Sequence, residues 1–183
     1  MLHVICLNPA IDKIYRIPDF VAGEDYPGQK PEVRVGGKGV NVARVLSQLG
    51  APVHLYGFLG EGGDIIRKEM KERCVCSFFD VSGACRTTVN IIDPKSGRET
   101  VITEAGPQVS ENDVRELMLE LSDRVQPGDI VAASGSIIAG APSDIYAQIS
   151  RICGEIGAKC ALDCNTSALK SSLSGNVRYI LGK

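Results

Sequence analysis

The chain has 183 residues, of which 44% are hydrophobic and 23% charged, and its formal net charge is −2. This length and composition are typical of one globular domain with a hydrophobic core, and the slight negative charge argues against nucleic acid or an anionic membrane as a partner. No apolar run reaches the roughly 18–20 residues that span a membrane. The N-terminus lacks the charged start and small-residue cleavage site of a signal peptide, so we expect a cytoplasmic location.

The cysteine and histidine positions argue against disulfides and metal sites. The cysteine count is odd, no C-x-x-C occurs, and several cysteines fall in apolar, strand-like runs. These features predict buried free thiols in a reducing compartment, at Cys6, Cys74, Cys76, Cys85, Cys153, Cys160 and Cys164. The two histidines, His3 and His54, are not spaced as metal ligands, so no metal site is predicted from side-chain spacing.

A predicted first strand over residues 2–7 is followed by the most distinctive run of the chain, Val33–Arg44. Three glycines and Lys38 stand directly before a helix predicted over residues 39–49. Glycines let backbone N–H groups approach a ligand, and a helix N-terminus favours an anion. The order of residues fits neither the Walker phosphate loop nor the dinucleotide-binding glycine motif. The run therefore predicts either a turn that binds a phosphate or a polyhydroxylated anion, or an ordinary glycine turn.

Short apolar runs alternate with helical periodicity along most of the remaining chain. Further strands are predicted over residues 53–59, 129–133, 159–163 and 177–181. Further helices are predicted over residues 64–73, 110–125, 142–156 and 167–173. This alternation is typical of an α/β fold in which helices cover both faces of a mostly parallel sheet. Because such a sheet usually continues with a helix and another strand, we expect the C-terminal part of the fold to be absent from this chain.

Two stretches, approximately residues 11–35 and 86–103, break this rhythm. Both alternate apolar and polar residues, and a turn at residues 93–97 divides the second stretch into a hairpin. We interpret them together as a small sheet standing off the main domain, which would close over a ligand and exclude water. An ordinary surface hairpin is the alternative interpretation.

Several motifs resemble the ribokinase-like (PfkB) carbohydrate kinases, and most closely the 1-phosphofructokinase and tagatose-6-phosphate kinase branch. Leu7–Asp12 resembles the opening of that branch, and Gly36–Ala43 resembles the family's N-terminal signature. Thr103–Pro107 and Ala133–Ser136 also resemble the branch, so the resemblance extends along the whole chain in order. It implies one truncated ribokinase-like α/β domain over residues 1–183, similar to the N-terminal part of the family only, with the two stretches above as its lid.

The resemblance also implies an activity. Similar enzymes use ATP and Mg²⁺ to phosphorylate a sugar or a sugar phosphate, and the nearest branch indicates conversion of fructose 1-phosphate to fructose 1,6-bisphosphate. Tagatose 6-phosphate or another sugar remains an alternative acceptor, and a non-catalytic sugar-phosphate-binding fragment remains an alternative role. Because a lid sheet with one apolar face commonly buries that face, a homodimer through the lid is also expected.

The site residues are carried over from the resemblance. Asp12 would accept hydrogen bonds from sugar hydroxyls, as a carboxylate beyond a strand end can. Six further positions would hold the sugar and its existing phosphate: Gly36, Gly37, Lys38, Asn41, Arg86 and Ser136. Asp163 resembles the family's aspartate near the nucleotide phosphates and magnesium. From the residues alone, the alternative for Asp12 is an aspartate that caps a turn, and the alternative for Asp163 is one that caps a strand end.

The sequence departs from the family in two informative places. Thr88 stands where the branch usually has Asn two residues after the lid arginine, and Asn90 comes later. The family's catalytic aspartate lies in a Gly-Ala-Gly-Asp motif that this sequence does not contain. Asp64, in a superficially similar glycine run, is predicted to begin a helix. No catalytic base is therefore expected within these 183 residues.

Overall fold

The computed structural model describes residues 1–164 and the strand Tyr179–Ile180. Along the chain the elements are β1 (Leu2–Cys6), β2 (Ala10–Arg16), β3 (Glu32–Gly36), α1 (Lys38–Gln48), β4 (Val53–Glu61), α2 (Asp64–Lys71), β5 (Val75–Ala84), β6 (Arg86–Ile92), β7 (Glu99–Thr103), α3 (Glu111–Arg124), β8 (Ile130–Ser134), α4 (Ile145–Ile156), β9 (Lys159–Asp163) and β10 (Tyr179–Ile180). Among the described helices, none is long and apolar enough to cross a membrane.

The main sheet is parallel and has the strand order β10-β9-β8-β1-β4-β5. β1 lies between β4 and β8, and its Leu2 is opposite both Val53 and Ile130. The carboxyl ends of these strands therefore share one edge, where ligands bind in open α/β sheets.

Helices cover both faces of this sheet, as the sequence predicts. Successive side chains of a strand point to opposite faces. Val4 and Cys6 belong to a buried cluster with residues of α1 and α2, whereas Ile5 and Leu7 belong to a cluster with residues of α3 and α4. The single strand β1 thus contributes to two hydrophobic cores, and it fixes the position of the loop that follows it.

The two stretches predicted to stand off the main domain form a second, separate sheet with the order β3-β2-β6-β7. We call it the lid after the role predicted for it, and that role stays a prediction. β2 pairs with β6 in parallel, while β2–β3 and β6–β7 are antiparallel. Ala10, the first residue of β2, is opposite both Gly36 and Arg86. This register brings the end of β3 and the start of β6 together beside the main sheet.

The two largest differences from the predicted elements are at β5 and at the start of α4. Val75–Ala84 forms the ten-residue strand β5, which the sequence pattern does not reveal because an edge strand is only half buried and its alternation is weak. α4 begins at Ile145 instead of residue 142, because Pro142 lies in a turn whose carbonyl accepts from Ile145 N. α2 begins at Asp64 as predicted. The predicted helix over residues 167–173 lies outside the described residues.

A buried polar network stands apart from the glycine run, between the first part of the sheet and α3. His3 Nδ1 lies 2.8 Å from the Tyr56 hydroxyl. His54 Nε2 lies 2.9 Å from Ser77 Oγ, which donates to Glu120 of α3. The His54 and Tyr56 rings stack with centroids 4.2 Å apart. Both histidines therefore take part in side-chain hydrogen bonds within the fold.

All seven cysteines are free thiols, as predicted, and five of them are buried. The prediction of burial was wrong for Cys74 and Cys76, because they lie at the start of the half-buried edge strand β5. The two half-buried ones, Cys74 and Cys76, lie where α2 leads into β5, with their sulfur atoms 3.8 Å apart.

Candidate functional site

The carboxyl ends of β1, β8 and β9 meet beside the glycine turn that precedes α1. Gly37 rests on the end of β1, since a Cβ added there would lie 3.1 Å from Cys6 Sγ and 3.2 Å from Pro9 Cα. Gly135 N donates to the Asp163 carbonyl at 2.9 Å, which joins the ends of β8 and β9. The side chain of Lys38, at the start of α1, contacts Asp163 at the end of β9. Residues from distant parts of the sequence thus share one edge of the sheet.

Two glycines of the turn are required for different reasons. Gly37 has φ = 106°, a conformation that L side chains rarely adopt. Gly39 packs α1 closely on β1, because an added Cβ would lie 2.6 Å from Cys6 Cβ. α1 has no side-chain N-cap and no acidic residue in its first turn, so its own side chains leave the positive end of its dipole uncompensated. This geometry suits an anion.

Asp12 projects from the lid over the glycine turn. An added Cβ at Gly36 would lie 2.1 Å from Asp12 Oδ2, so only glycine leaves room for this carboxylate. Burial raises the pKa of Asp12, while a hydrogen bond from the Thr88 side chain and the charges of Arg86 and Arg44 act in the opposite direction. Thr88, which departs from the family pattern, is therefore the residue opposite Asp12 that supports its carboxylate.

Arg86 is a half-buried cation at the entry to the lid. Its NH2 group donates to the Asn8 carbonyl at 2.9 Å, and its NH1 group donates to Ser136 Oγ at 3.2 Å. Its Nε is buried without a hydrogen-bond partner, and no carboxylate within the described residues forms an ion pair with it. A guanidinium held by neutral oxygens keeps its charge available for an anion such as phosphate.

Lys38 and Asp163 form an ion pair across the site. Lys38 Nζ lies 3.3 Å from Asp163 Oδ1, and Ser134 Oγ lies 3.1 Å from Asp163 Oδ2. The two side chains are 57% and 36% exposed, so both remain accessible to a ligand. Sequence resemblance assigns Lys38 to the sugar phosphate and Asp163 to the nucleotide side. The structure makes these two positions neighbours.

Asn41 lies in the first turns of α1 with its side chain exposed. Its Oδ1 accepts a hydrogen bond from Arg44 NH1 at 2.5 Å. Sequence reasoning gave no role to Arg44, although its position three residues after Asn41 places the two on the same side of the helix. Asn8 and Ser134 were also missed, because their contacts depend on strands far apart in sequence.

A cleft of about 640 Å³ lies elsewhere, between the end of β5 and the start of α3. Its lining includes Asp80 and Asp113 but no lysine or arginine. The lining charge is therefore unsuitable for a phosphate, and the site beside the glycine turn is the better candidate.

Residues 1–180 match the family described as pfkB family carbohydrate kinase. Among solved structures, a possible 1-phosphofructokinase from Thermotoga maritima is 29% identical with a TM-score of 0.88, and the match covers 100% of this chain and 60% of that one. A putative phosphofructokinase from Staphylococcus aureus is 28% identical with a TM-score of 0.83, covering 100% and 59% of the two chains.

Phosphofructokinase-2 from Escherichia coli, in complex with fructose-6-phosphate, shares the fold at 21% identity with a TM-score of 0.88, covering 98% and 60% of the two chains. The chain thus spans about 60% of the length of these solved relatives. The family match extends over nearly the whole sequence, and the fold is the ribokinase-like α/β fold expected from the motifs. This chain belongs to the pfkB family of carbohydrate kinases.

Proposed function

We propose that the whole protein transfers the γ-phosphoryl group of ATP to a hydroxyl of a sugar phosphate, and that this chain carries the acceptor site. The observation that supports this most strongly is Arg86, a half-buried cation bonded to neutral oxygens beside the glycine turn. The proposed acceptor is fructose 1-phosphate, giving fructose 1,6-bisphosphate. Similarity to the possible 1-phosphofructokinase from Thermotoga maritima favours this acceptor over tagatose 6-phosphate.

Acceptor binding follows from the charges of the site. Arg86 and Lys38 would bind the existing phosphate, with Ser136 donating a further hydrogen bond. Asp12 would accept hydrogen bonds from sugar hydroxyls and fix the orientation of the ring. The sugar pocket would be completed by Asn41 and by Gly36 and Gly37, where the backbone can approach the sugar closely.

Asp163 is the residue that we assign to the part of the site that would bind the nucleotide. ATP bound with Mg²⁺ supplies the phosphoryl group and part of the charge neutralisation. Mg²⁺ is usually bound through one or two carboxylates and several phosphate or water oxygens, so the single half-exposed carboxylate of Asp163 fits a magnesium–phosphate group. Lys38 would pass from Asp163 to a substrate phosphate as the site fills, and the lid would exclude water.

Calorimetric titration of the 183-residue chain with fructose 1-phosphate, tagatose 6-phosphate and unphosphorylated fructose tests this proposal. We expect fructose 1-phosphate to bind most tightly and fructose to bind weakly. Arg86→Ala and Lys38→Ala should each weaken phosphate-dependent binding by roughly tenfold or more, because each removes a charge-assisted contact. Lys68→Ala, which removes an exposed lysine on α2, is the matched control. Equal affinities for fructose and fructose 1-phosphate would refute the assignment.

A non-catalytic sugar-phosphate-binding protein is the second candidate function. The proposed acceptor groups Arg86, Lys38 and Asp12 would bind a sugar phosphate without requiring a catalytic base. Tight sugar-phosphate binding without ATP turnover in the natural gene product would support this candidate. Sugar-dependent ADP formation by that product would exclude it.

A homodimer through the lid stays a prediction. The lid face opposite Asp12 carries Tyr15, Val89 and Ile91, and the loop residues Phe20 and Tyr26 line the same depression. An apolar face of this kind is commonly buried against a partner. Light scattering of the chain and of Val89→Asp should show loss of the dimer in the variant, and a monomer in both would refute the prediction.

A further inference from the structure

Arg44 of α1 connects three elements around the glycine turn. Its NH2 group donates to the Val35 carbonyl at 2.7 Å and to Glu69 Oε1 of α2 at 3.1 Å, while Nε lies 3.2 Å from the same Glu69 oxygen. Its NH1 group donates to Asn41 Oδ1 at 2.5 Å. One guanidinium therefore connects three elements: the end of β3, the N-terminal part of α1, and α2.

The contact with Arg44 determines which way the Asn41 amide faces. An arginine side chain has five donors and no acceptor, so the amide atom that faces it must be the oxygen. The Asn41 Nδ2 group is then turned away from Arg44, and it has no hydrogen-bond partner within the described part of the chain. In this orientation Asn41 offers a ligand two N–H donors and no strong acceptor.

This orientation complements Asp12. As a carboxylate, Asp12 only accepts hydrogen bonds, whereas the oriented amide of Asn41 only donates them. Val35, whose carbonyl Arg44 holds, directly precedes Gly36, over which the Asp12 carboxylate lies. Arg44 is also close enough to Asp12 for its charge to lower the pKa of that carboxyl group. Burial, Thr88 and Arg86 all affect that pKa more than Arg44 does, so the main effect of Arg44 on the proposed sugar-binding groups is its direct hydrogen bond to Asn41.

We propose that Arg44 is a positioning residue that fixes Asn41 as a hydrogen-bond donor to an oxygen of the sugar phosphate, with Glu69 anchoring the guanidinium. This inference rests on the proposed function for the identity of the ligand. The orientation of Asn41 itself requires no ligand and is tested separately.

The test compares Arg44→Gln, Asn41→Ala, their double variant and Asn41→Asp. Fructose 1-phosphate and inorganic phosphate are titrated into each variant by calorimetry. Arg73→Gln is the matched control, because Arg73 pairs with the same Glu69 at 3.5 Å.

We expect Arg44→Gln and Asn41→Ala each to weaken fructose 1-phosphate binding about tenfold, with a smaller loss for inorganic phosphate. The double variant should bind no more weakly than Asn41→Ala, because Arg44 acts through Asn41. Asn41→Asp should keep the contact with Arg44 and the melting temperature, yet lose affinity, since the new carboxylate presents only acceptors. Arg73→Gln should bind like the unmodified chain.

Additive losses in the double variant, or full affinity in Asn41→Asp, would overturn the positioning role. NMR of the ligand-free chain provides the separate readout. The Asn41 side-chain amide should be rigid in the unmodified chain and in Arg73→Gln, and mobile in Arg44→Gln. A mobile amide in the unmodified chain would refute the inference even if sugar phosphates bind. A rigid amide with no sugar-phosphate binding would instead refute the proposed function and leave the orientation of Asn41 established.

Discussion

Replacing Gly36 with alanine should weaken sugar-phosphate binding strongly while leaving the fold nearly intact. The added Cβ would lie 2.1 Å from Asp12 Oδ2, 2.6 Å from Cγ and 2.8 Å from Oδ1. Ordinary van der Waals contact begins near 3.4 Å, so the carboxylate must retreat by roughly 1 Å or rotate to another rotamer. Gly36 does not have a positive φ, and its backbone therefore accepts alanine without strain.

The expected stability cost is small because only the end of one flexible side chain must move. An off-rotamer side chain costs about 0.5–1.5 kcal/mol, so the free energy of unfolding should fall by no more than that. The binding cost is larger, since a displacement of about 1 Å removes a charge-assisted hydrogen bond worth roughly 1.5–3 kcal/mol. Gly36→Ala should therefore weaken fructose 1-phosphate binding by about tenfold to a hundredfold.

Urea unfolding and calorimetric titration of the same samples measure the two effects. Asp12→Ala should lose as much affinity as Gly36→Ala, and combining the two substitutions should cost little more than either alone. Gly37→Ala is the contrasting variant. Its φ of 106° and its contact with Pro9 make alanine strained there, so it should lose stability as well as binding. Unchanged affinity in Gly36→Ala, or a stability loss equal to that of Gly37→Ala, would refute this reasoning.

Three further predictions concern features outside the site. Burial and the neighbouring charges of histidine and arginine lower the pKa of His54 from 6.5 to about 4, so the unfolded chain binds a proton that the folded chain does not. Stability should therefore fall as the pH drops from 6.5 towards 4, by up to roughly 3 kcal/mol, and urea unfolding of His54→Gln should show a flatter pH profile. The pKa of the Cys74 thiol is lowered by its hydrogen bond with Cys76, so iodoacetamide should label Cys74 first, and Cys76→Ala should slow that labelling in a mass-spectrometric time course. Asp93 accepts a hydrogen bond from Asp19 N, so Asp93→Ala, which removes the acceptor, should accelerate hydrogen exchange at that amide, and unchanged exchange would show that this contact does not order the loop.

The sequence was sufficient to predict the main sheet where strands are buried on both sides. β1 was predicted over residues 2–7 and extends over Leu2–Cys6, because this buried strand in the middle of the sheet leaves a nearly continuous apolar run. β5 was missed because it lies at the sheet edge, where its side chains are only half buried. The hairpin turn at residues 93–97 was predicted from turn residues alone, and Gly97 has the positive φ such a turn requires.

The sequence indicates which residues to consider for the candidate site, and their roles stay predictions, but it does not indicate the contacts between them. The glycine run is local, so its position before α1 follows from the sequence. The approach of Asp12 to Gly36 depends on the antiparallel register of β2 and β3, in which the two residues are diagonal neighbours. The contact of Lys38 with Asp163 joins residues 125 positions apart and depends on the order of strands in the sheet. Such contacts cannot be found from spacing within one element.

The most direct test of the acceptor site is thermal unfolding of the 183-residue chain with fructose 1-phosphate, tagatose 6-phosphate, fructose 6-phosphate and ribose in parallel. A ligand that binds only the folded state at 100 times its Kd adds about 2.7 kcal/mol of stability. For a chain of this length, that stabilisation raises the Tm by roughly 5–10 °C. We predict such a shift with fructose 1-phosphate, a smaller one with the other hexose phosphates, and none with ribose. The absence of a shift with every sugar phosphate, in a cooperatively unfolding protein, would contradict the assignment of the acceptor site to these residues.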